Sequence, residues 1–69
     1  MIPDGEQIRA RRLRLGLKPG QLADLIGGRS ATTIRKLEAG GIDKASEILM
    51  HQVAIALGAE VEDITKRAA

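Results

Sequence analysis

Apolar residues along this chain recur at three- and four-residue spacing, and no stretch alternates apolar with polar over the length of a strand. Glycine and proline divide the pattern at Pro3 to Gly5, Gly16, Pro19-Gly20, Gly27-Gly28, Gly40-Gly41 and Gly58. The gaps between these breaks predict five helical segments. The first, about Gly5 to Leu15, sets Ile8, Arg12 and Leu15 on one stripe, with Arg9 and Arg14 pointing elsewhere. The second, about Pro19 to Ile26, opens on a proline whose missing N–H costs nothing there, and gathers Leu22, Leu25 and Ile26. The third, about Ala31 to Ala39, follows Ser30 as N-cap and carries Ile34, Leu37 and Glu38 on its stripe.

Two of these stripes are interrupted by charge. A guanidinium and a carboxylate on core-facing positions are costly unless they pair, so Arg12 and Glu38 are expected to form a partly buried ion pair. The alternative is that each reaches water at the edge of the core.

The fourth segment, about Ser46 to Leu57, has a main stripe of Leu49, Met50, Val53, Ala56 and Leu57, with Ile48 and Ile55 off it. A helix apolar on more than one side is usually central, so burial of Ile48 and Ile55 within the monomer is expected. The alternative assigns them to a partner-binding surface. His51 is expected to be an exposed or edge-packed polar residue. A fifth segment, about Val61 to Lys66, would dock through Val61 and Ile64, and the tail from Thr65 to Ala69 is expected to fray.

Composition narrows what such a bundle can do. Sixty-nine residues make one small domain, residues 1–69, whose core must come from twenty Leu, Ile, Val and Met and ten Ala, because the chain has no Phe, Tyr or Trp. With no cysteine, disulfides, thiolate catalysis and cysteine zinc sites are excluded, and His51 alone builds no metal site. The lack of aromatics argues against readers of single-stranded nucleic acid, which stack bases on rings. The longest apolar run, Val53 to Leu57, is five residues, too short for a membrane span, and the acidic start lacks the features of a secretory signal. A soluble cytoplasmic location is the expectation. No paired carboxylates, nucleophile–base pair or phosphate-cradling loop stands out, so no enzyme activity, catalytic residue or cofactor is implied.

The net charge of +2 conceals an asymmetry. Residues 1–41 carry eight Lys/Arg against four acids, whereas residues 42–69 carry three against five. The basic part is a candidate polyanion surface; its alternative is a solvated face.

The stretch from Gln21 to Gly40 has the layout of a helix-turn-helix, with the unit spanning about 19–39. Small Ala23 lets two helices approach, glycine supplies the turn, and Ile34 and Leu37 anchor the second helix so that its outer residues are presented to a major groove. With the opening Ile8-Arg9-Ala10-Arg11-Arg12-Leu13-Arg14-Leu15-Gly16-Leu17, the Leu22-Ala23 pair, Thr33-Ile34-Arg35-Lys36-Leu37-Glu38-Ala39-Gly40 and Val53-Ala54-Ile55-Ala56-Leu57-Gly58, the chain resembles the lambda repressor/Cro-type, or XRE-type, helix-turn-helix domains. The resemblance implies an all-α, compact five-helix bundle that binds double-stranded DNA. It also implies that the arginine late in helix one, Arg12, pairs with Glu38.

Three departures from the family pattern bear on the interface. Gly27-Gly28-Arg29 lengthens the turn by one residue, Lys18 stands at the usual Ser/Thr cap of helix two, and Pro19-Gly20 replaces polar residues that often touch a phosphate. That contact then falls to Lys18 and to backbone N–H groups near Gly20 and Gln21. The resemblance places Ala31 and Thr32 at the first base-facing positions, with Lys36 one turn on and able to reach guanine. Arg29 and Arg35 are assigned to phosphates, Ser30 to the cap beside them, and Thr33 to a buried or capping role.

Two function classes are thus expected from the sequence. One is a transcriptional regulator, such as a repressor, acting as a homodimer on a palindromic operator. The other is an antitoxin-like or accessory module of the same fold that holds a toxin-like protein or other subunit through Ile48 and Ile55.

Overall fold

Side-chain caps set where most of the helices begin. Asp4 accepts the Gln7 N–H (3.3 Å), Ser30 the Thr33 N–H (3.3 Å) and Ser46 the Leu49 N–H (3.1 Å), each satisfying a donor that a helix start leaves unpaired. The computed structural model describes residues 1–66. Its helices are α1 (Gly5–Arg14), α2 (Pro19–Ile26), α3 (Ala31–Ala39) and α4 (Glu47–Leu57), followed by a single 3-10 turn, Val61–Asp63. Two short strands, β1 (Ile2–Pro3) and β2 (Thr65–Lys66), pair antiparallel with Ile2 opposite Lys66 and Pro3 opposite Thr65.

One aliphatic core joins the four helices and the segment at the 3-10 turn. Ile8 of α1, Leu22 of α2, Ile34 and Leu37 of α3, Met50 and Val53 of α4, and Ile64 after the 3-10 turn are each buried to within 2% of complete exclusion from solvent. Ala23 at the α2–α3 contact and Ala54 on α4 are also buried, their small side chains letting neighbouring backbones come close. Among the described residues no helix is long and apolar enough to cross a membrane.

The all-α class stands, but the expected fifth helix does not. Residues 61–66 form one 3-10 turn, closed by Asp63 accepting the Glu60 N–H (3.0 Å), and then an extended pair. The chain straightens because the N-terminal segment supplies hydrogen bonds from far away in sequence: the Asp4 N–H donates to the Ile64 carbonyl (2.8 Å) and β1 zips onto β2. A two-residue strand is too short to show alternation, so its absence from the pattern was uninformative. Thr65 and Lys66 are therefore ordered, while the remainder of the expected fraying tail, residues 67–69, lies outside the described residues.

Four apolar side chains expected on buried faces are instead exposed: Leu15, Leu25, Ile48 and Ile55. Leu15 caps α1 as the chain turns away, and only the Leu22/Ala23/Ile26 edge of two-turn α2 reaches its neighbours. On α4 the buried set is Leu49, Met50, Val53, Ala54 and Leu57, leaving Ala56 half-buried and Ile48 and Ile55 outside the core at 71% and 80% exposure. The expectation that these isoleucines are buried in the monomer is thus overturned.

Gly5 starts α1 directly on the last turn of α3. A Cβ there would overlap the Glu38 carbonyl and sit 2.7 Å from the Leu37 carbonyl oxygen, and neither backbone atom can yield cheaply. Gly20 faces only the Ala31 Cβ at 3.9 Å. Gly5→Ala is expected to lower stability by about 1–3 kcal/mol, as overpacking does. Gly20→Ala should be neutral or mildly stabilising; urea denaturation of the two variants checks the contrast.

Candidate nucleic-acid interface

The α2–α3 unit is built around a turn that only glycine makes easily. Gly27 (φ 76°) and Gly28 (φ 71°) both lie at positive φ, and two such residues in succession let the chain reverse before Arg29 and Ser30 lead into α3. At the far end of α3 the Gly41 N–H returns to the Lys36 carbonyl (2.9 Å) and closes the helix. Between these limits Ile34 and Leu37 face inward, and Thr32, Arg35 and Lys36 face solvent.

Arg12 fixes how α3 sits on α1. Its Nε donates to Glu38 Oε2 (2.6 Å) and one terminal N–H to Glu38 Oε1 (2.8 Å), a bidentate fork, while the other terminal nitrogen donates to the Leu17 carbonyl (2.8 Å). Both side chains are nearly excluded from water, at 8% and 9% exposure. The hydrogen bonds that Arg12 donates to Glu38 raise the Arg12 pKa, against the opposing effect of burial, and the carboxylate charge adds to the rise. The guanidinium therefore stays charged and ties α1, the α1–α2 loop and the end of α3 together.

Around this clamp the structure places the basic side chains in two adjoining clefts. The first runs between the start of α2 and the start of α3, and its walls include Lys18, Gln21, Arg29, Ser30, Ala31 and Arg35. Asp24 is the acid in that lining, so the basic side chains there outnumber it three to one. The start of α2 is open to an anion for a specific reason. Its cap residue, Lys18, has no side-chain acceptor, so the first-turn N–H groups of Gly20 and Gln21 lack the partner that Ser30 provides on α3. Gln21 folds its Oε1 back onto the Lys18 N–H (2.8 Å), which leaves its amide N–H2 as a donor.

Thr32 and Lys36 stand exposed on the outer face of α3, Ala31 is half-buried beside Gly20, and Thr33 is half-buried with its N–H on Ser30 Oγ. The second cleft is lined by Arg9 and Arg35 together with the Arg12–Glu38 pair. Sequence reasoning placed Arg9 off the apolar stripe of α1 and gave it no contact. The signal that finds it is its position one turn before Arg12, on the helix that α3 packs against. Ile48 and Ile55 are not brought to this surface. Ile55 borders a separate apolar groove with Leu25 and Gln52, and His51 is exposed with Nδ1 on the Glu47 carbonyl (2.7 Å).

The family model described as a helix-turn-helix domain matches residues 5–66. The chain belongs to that helix-turn-helix family. No curated protein matches the sequence. In the helix-turn-helix frame α2 is the first helix, residues 27–30 the turn and α3 the second helix, and the match extends beyond this unit to α1 and α4. The buried clamp is what holds the second helix of this helix-turn-helix in place. Glu38→Ala should cost about 3–5 kcal/mol, because it strands a buried guanidinium. The double change Arg12→Met/Glu38→Leu should lose much less than Glu38→Ala alone. Chemical denaturation of both variants and the wild type reads the difference; equal losses would mean that the pair is not coupled.

Proposed function

We propose that this helix-turn-helix domain binds double-stranded DNA in a sequence-dependent way, as a homodimeric transcriptional regulator on a palindromic operator. The observation that carries the reading is the outer face of α3, where Thr32, Arg35 and Lys36 are exposed beside a cleft lined by Lys18 and Arg29 and by unpaired amides at the start of α2. Thr32 and Lys36 read base edges, Lys36 reaching guanine O6/N7 and the Thr32 and Ala31 methyls packing on thymine. Lys18, the Gly20 and Gln21 amides with the Gln21 side chain, Arg29 with Ser30, and Arg35 hold phosphates on either side.

The size of the domain supports the dimer. Its extents are 32 × 20 × 19 Å, too small for one copy to occupy two palindromic half-sites about 34–36 Å apart. Small side chains at the first two base-facing positions make one copy a poor reader, since each good base contact is worth only about 1–3 kcal/mol. Repression is the regulatory effect assigned to it in this reading, and the cytoplasm is where such a regulator meets its operator.

A second reading, an antitoxin-like or accessory module, is supported by the exposure of Ile48 and Ile55 on α4. The two uses can coexist in one chain. They separate experimentally: Thr32→Ala/Lys36→Ala should abolish selection of an operator, while Ile48→Asp/Ile55→Asp should break capture of a protein partner and leave binding to a single half-site unchanged.

Phosphate contacts dominate the affinity in this account. About four per domain predict a log–log slope of affinity against salt near −3.6 for each bound copy. Titration with duplex DNA at several salt concentrations measures it, and salt-independent binding would sink the reading.

A further inference from the structure

The second basic cleft is not explained by the clamp at its floor. Arg12 and Glu38 neutralise one another, and each nitrogen of Arg12 already donates to Glu38 or to the Leu17 carbonyl. What remains facing the cleft is two exposed guanidiniums, Arg9 from α1 and Arg35 from α3. Among the described residues neither has a carboxylate within 4.0 Å; the ion pairs present are Arg12–Glu38 and Arg11–Asp63. Two like charges lining one cleft from different helices repel each other, and an anion bound between them offsets that repulsion. Pro19 and Arg35 line both this cleft and the one containing Lys18 and Arg29, so the two clefts form one continuous basic track across the start of α2.

We propose that Arg9 and Arg35 together clamp one phosphate of the duplex backbone, extending the DNA-contacting surface from the helix-turn-helix unit onto α1. The inference rests on the DNA-binding reading above. The planar forks of two arginines suit phosphate oxygens, and the contact carries no base information. Arg35 thus works with a residue from outside the helix-turn-helix. The backbone strand that passes the α2 amides continues over Pro19 to Arg9. This fixes the side on which the duplex lies against α1 and so the angle at which α3 enters the groove.

The test is a salt titration of wild type, Arg9→Gln, Arg9→Lys and Arg9→Gln/Arg35→Gln on two unrelated duplexes of about two helical turns. Because the two arginines share one phosphate, the double variant should flatten the slope by about 0.9, not by twice that. Arg9→Gln should weaken binding to both duplexes by the same factor, and Arg9→Lys, which keeps the charge, should recover most of the loss. A slope unchanged in the double variant while the wild type binds would overturn the clamp alone, as would a loss confined to one duplex. Failure of the wild type to bind either duplex even at low salt would overturn the DNA reading itself.

Discussion

The arrangement of this domain depends on one buried charge pair. Arg12 and Glu38 sit where an all-aliphatic core would otherwise continue, and their bidentate contact joins α1 to the end of α3 while the third arm of Arg12 holds the Leu17 carbonyl. Apolar packing alone is non-directional and tolerates small rotations of one helix on another. A fork of two charge-assisted hydrogen bonds does not, so the pair specifies an orientation that Leu, Ile and Val could only approximate. The close seating of Gly5 on the Leu37 and Glu38 carbonyls constrains the same junction by sterics.

That junction matters because α3 is short and exposes much of its surface. Its inner residues, Ile34 and Leu37, are fully buried, and the remaining surface is the one that carries Thr32, Arg35 and Lys36. With α3 fixed against α1 and α2, basic side chains of α1, of α3 and of the segments flanking α2 face neighbouring clefts. A chain whose net charge is only +2 thereby gains a local surface on which cations outnumber acids. The acids concentrated in residues 42–69 belong largely to α4 and the 3-10 turn, where Asp63 lies 3.9 Å from Arg11.

Much of this was legible in the residues themselves. Helical spacing puts Arg12 and Glu38 on apolar stripes, and mutual pairing is the arrangement that makes two such charges tolerable. Glycine, proline and cap serine positions together mark the ends of α1 to α4 to within a residue or so, because those ends are set locally by caps and positive φ. What escaped the pattern was non-local. The β1–β2 pair joins residues more than sixty positions apart, and it converts an apparent fifth helix into a turn and a strand. Leu25, Ile48 and Ile55 look like core residues by type, yet short helices crossing at an angle bury only a narrow edge, which spacing alone does not identify. Arg9 escaped for the same reason: a cleft between α1 and α3 exists only once the helices are packed.

On the proposal above, the packed junction of α1, α2 and α3 presents one continuous face to duplex DNA, with Arg9, Lys18, Arg29 and Arg35 as its cations. Its most direct test is a map of backbone amide and arginine side-chain NMR shifts while a short duplex is added to the domain. The account predicts changes at Arg9, Lys18 to Gln21, Arg29 to Thr32, Arg35 and Lys36, with the Arg12 Nε–H and the α4 residues Ile48 and Ile55 unmoved. Changes centred on α4, or none at saturating duplex, would contradict it.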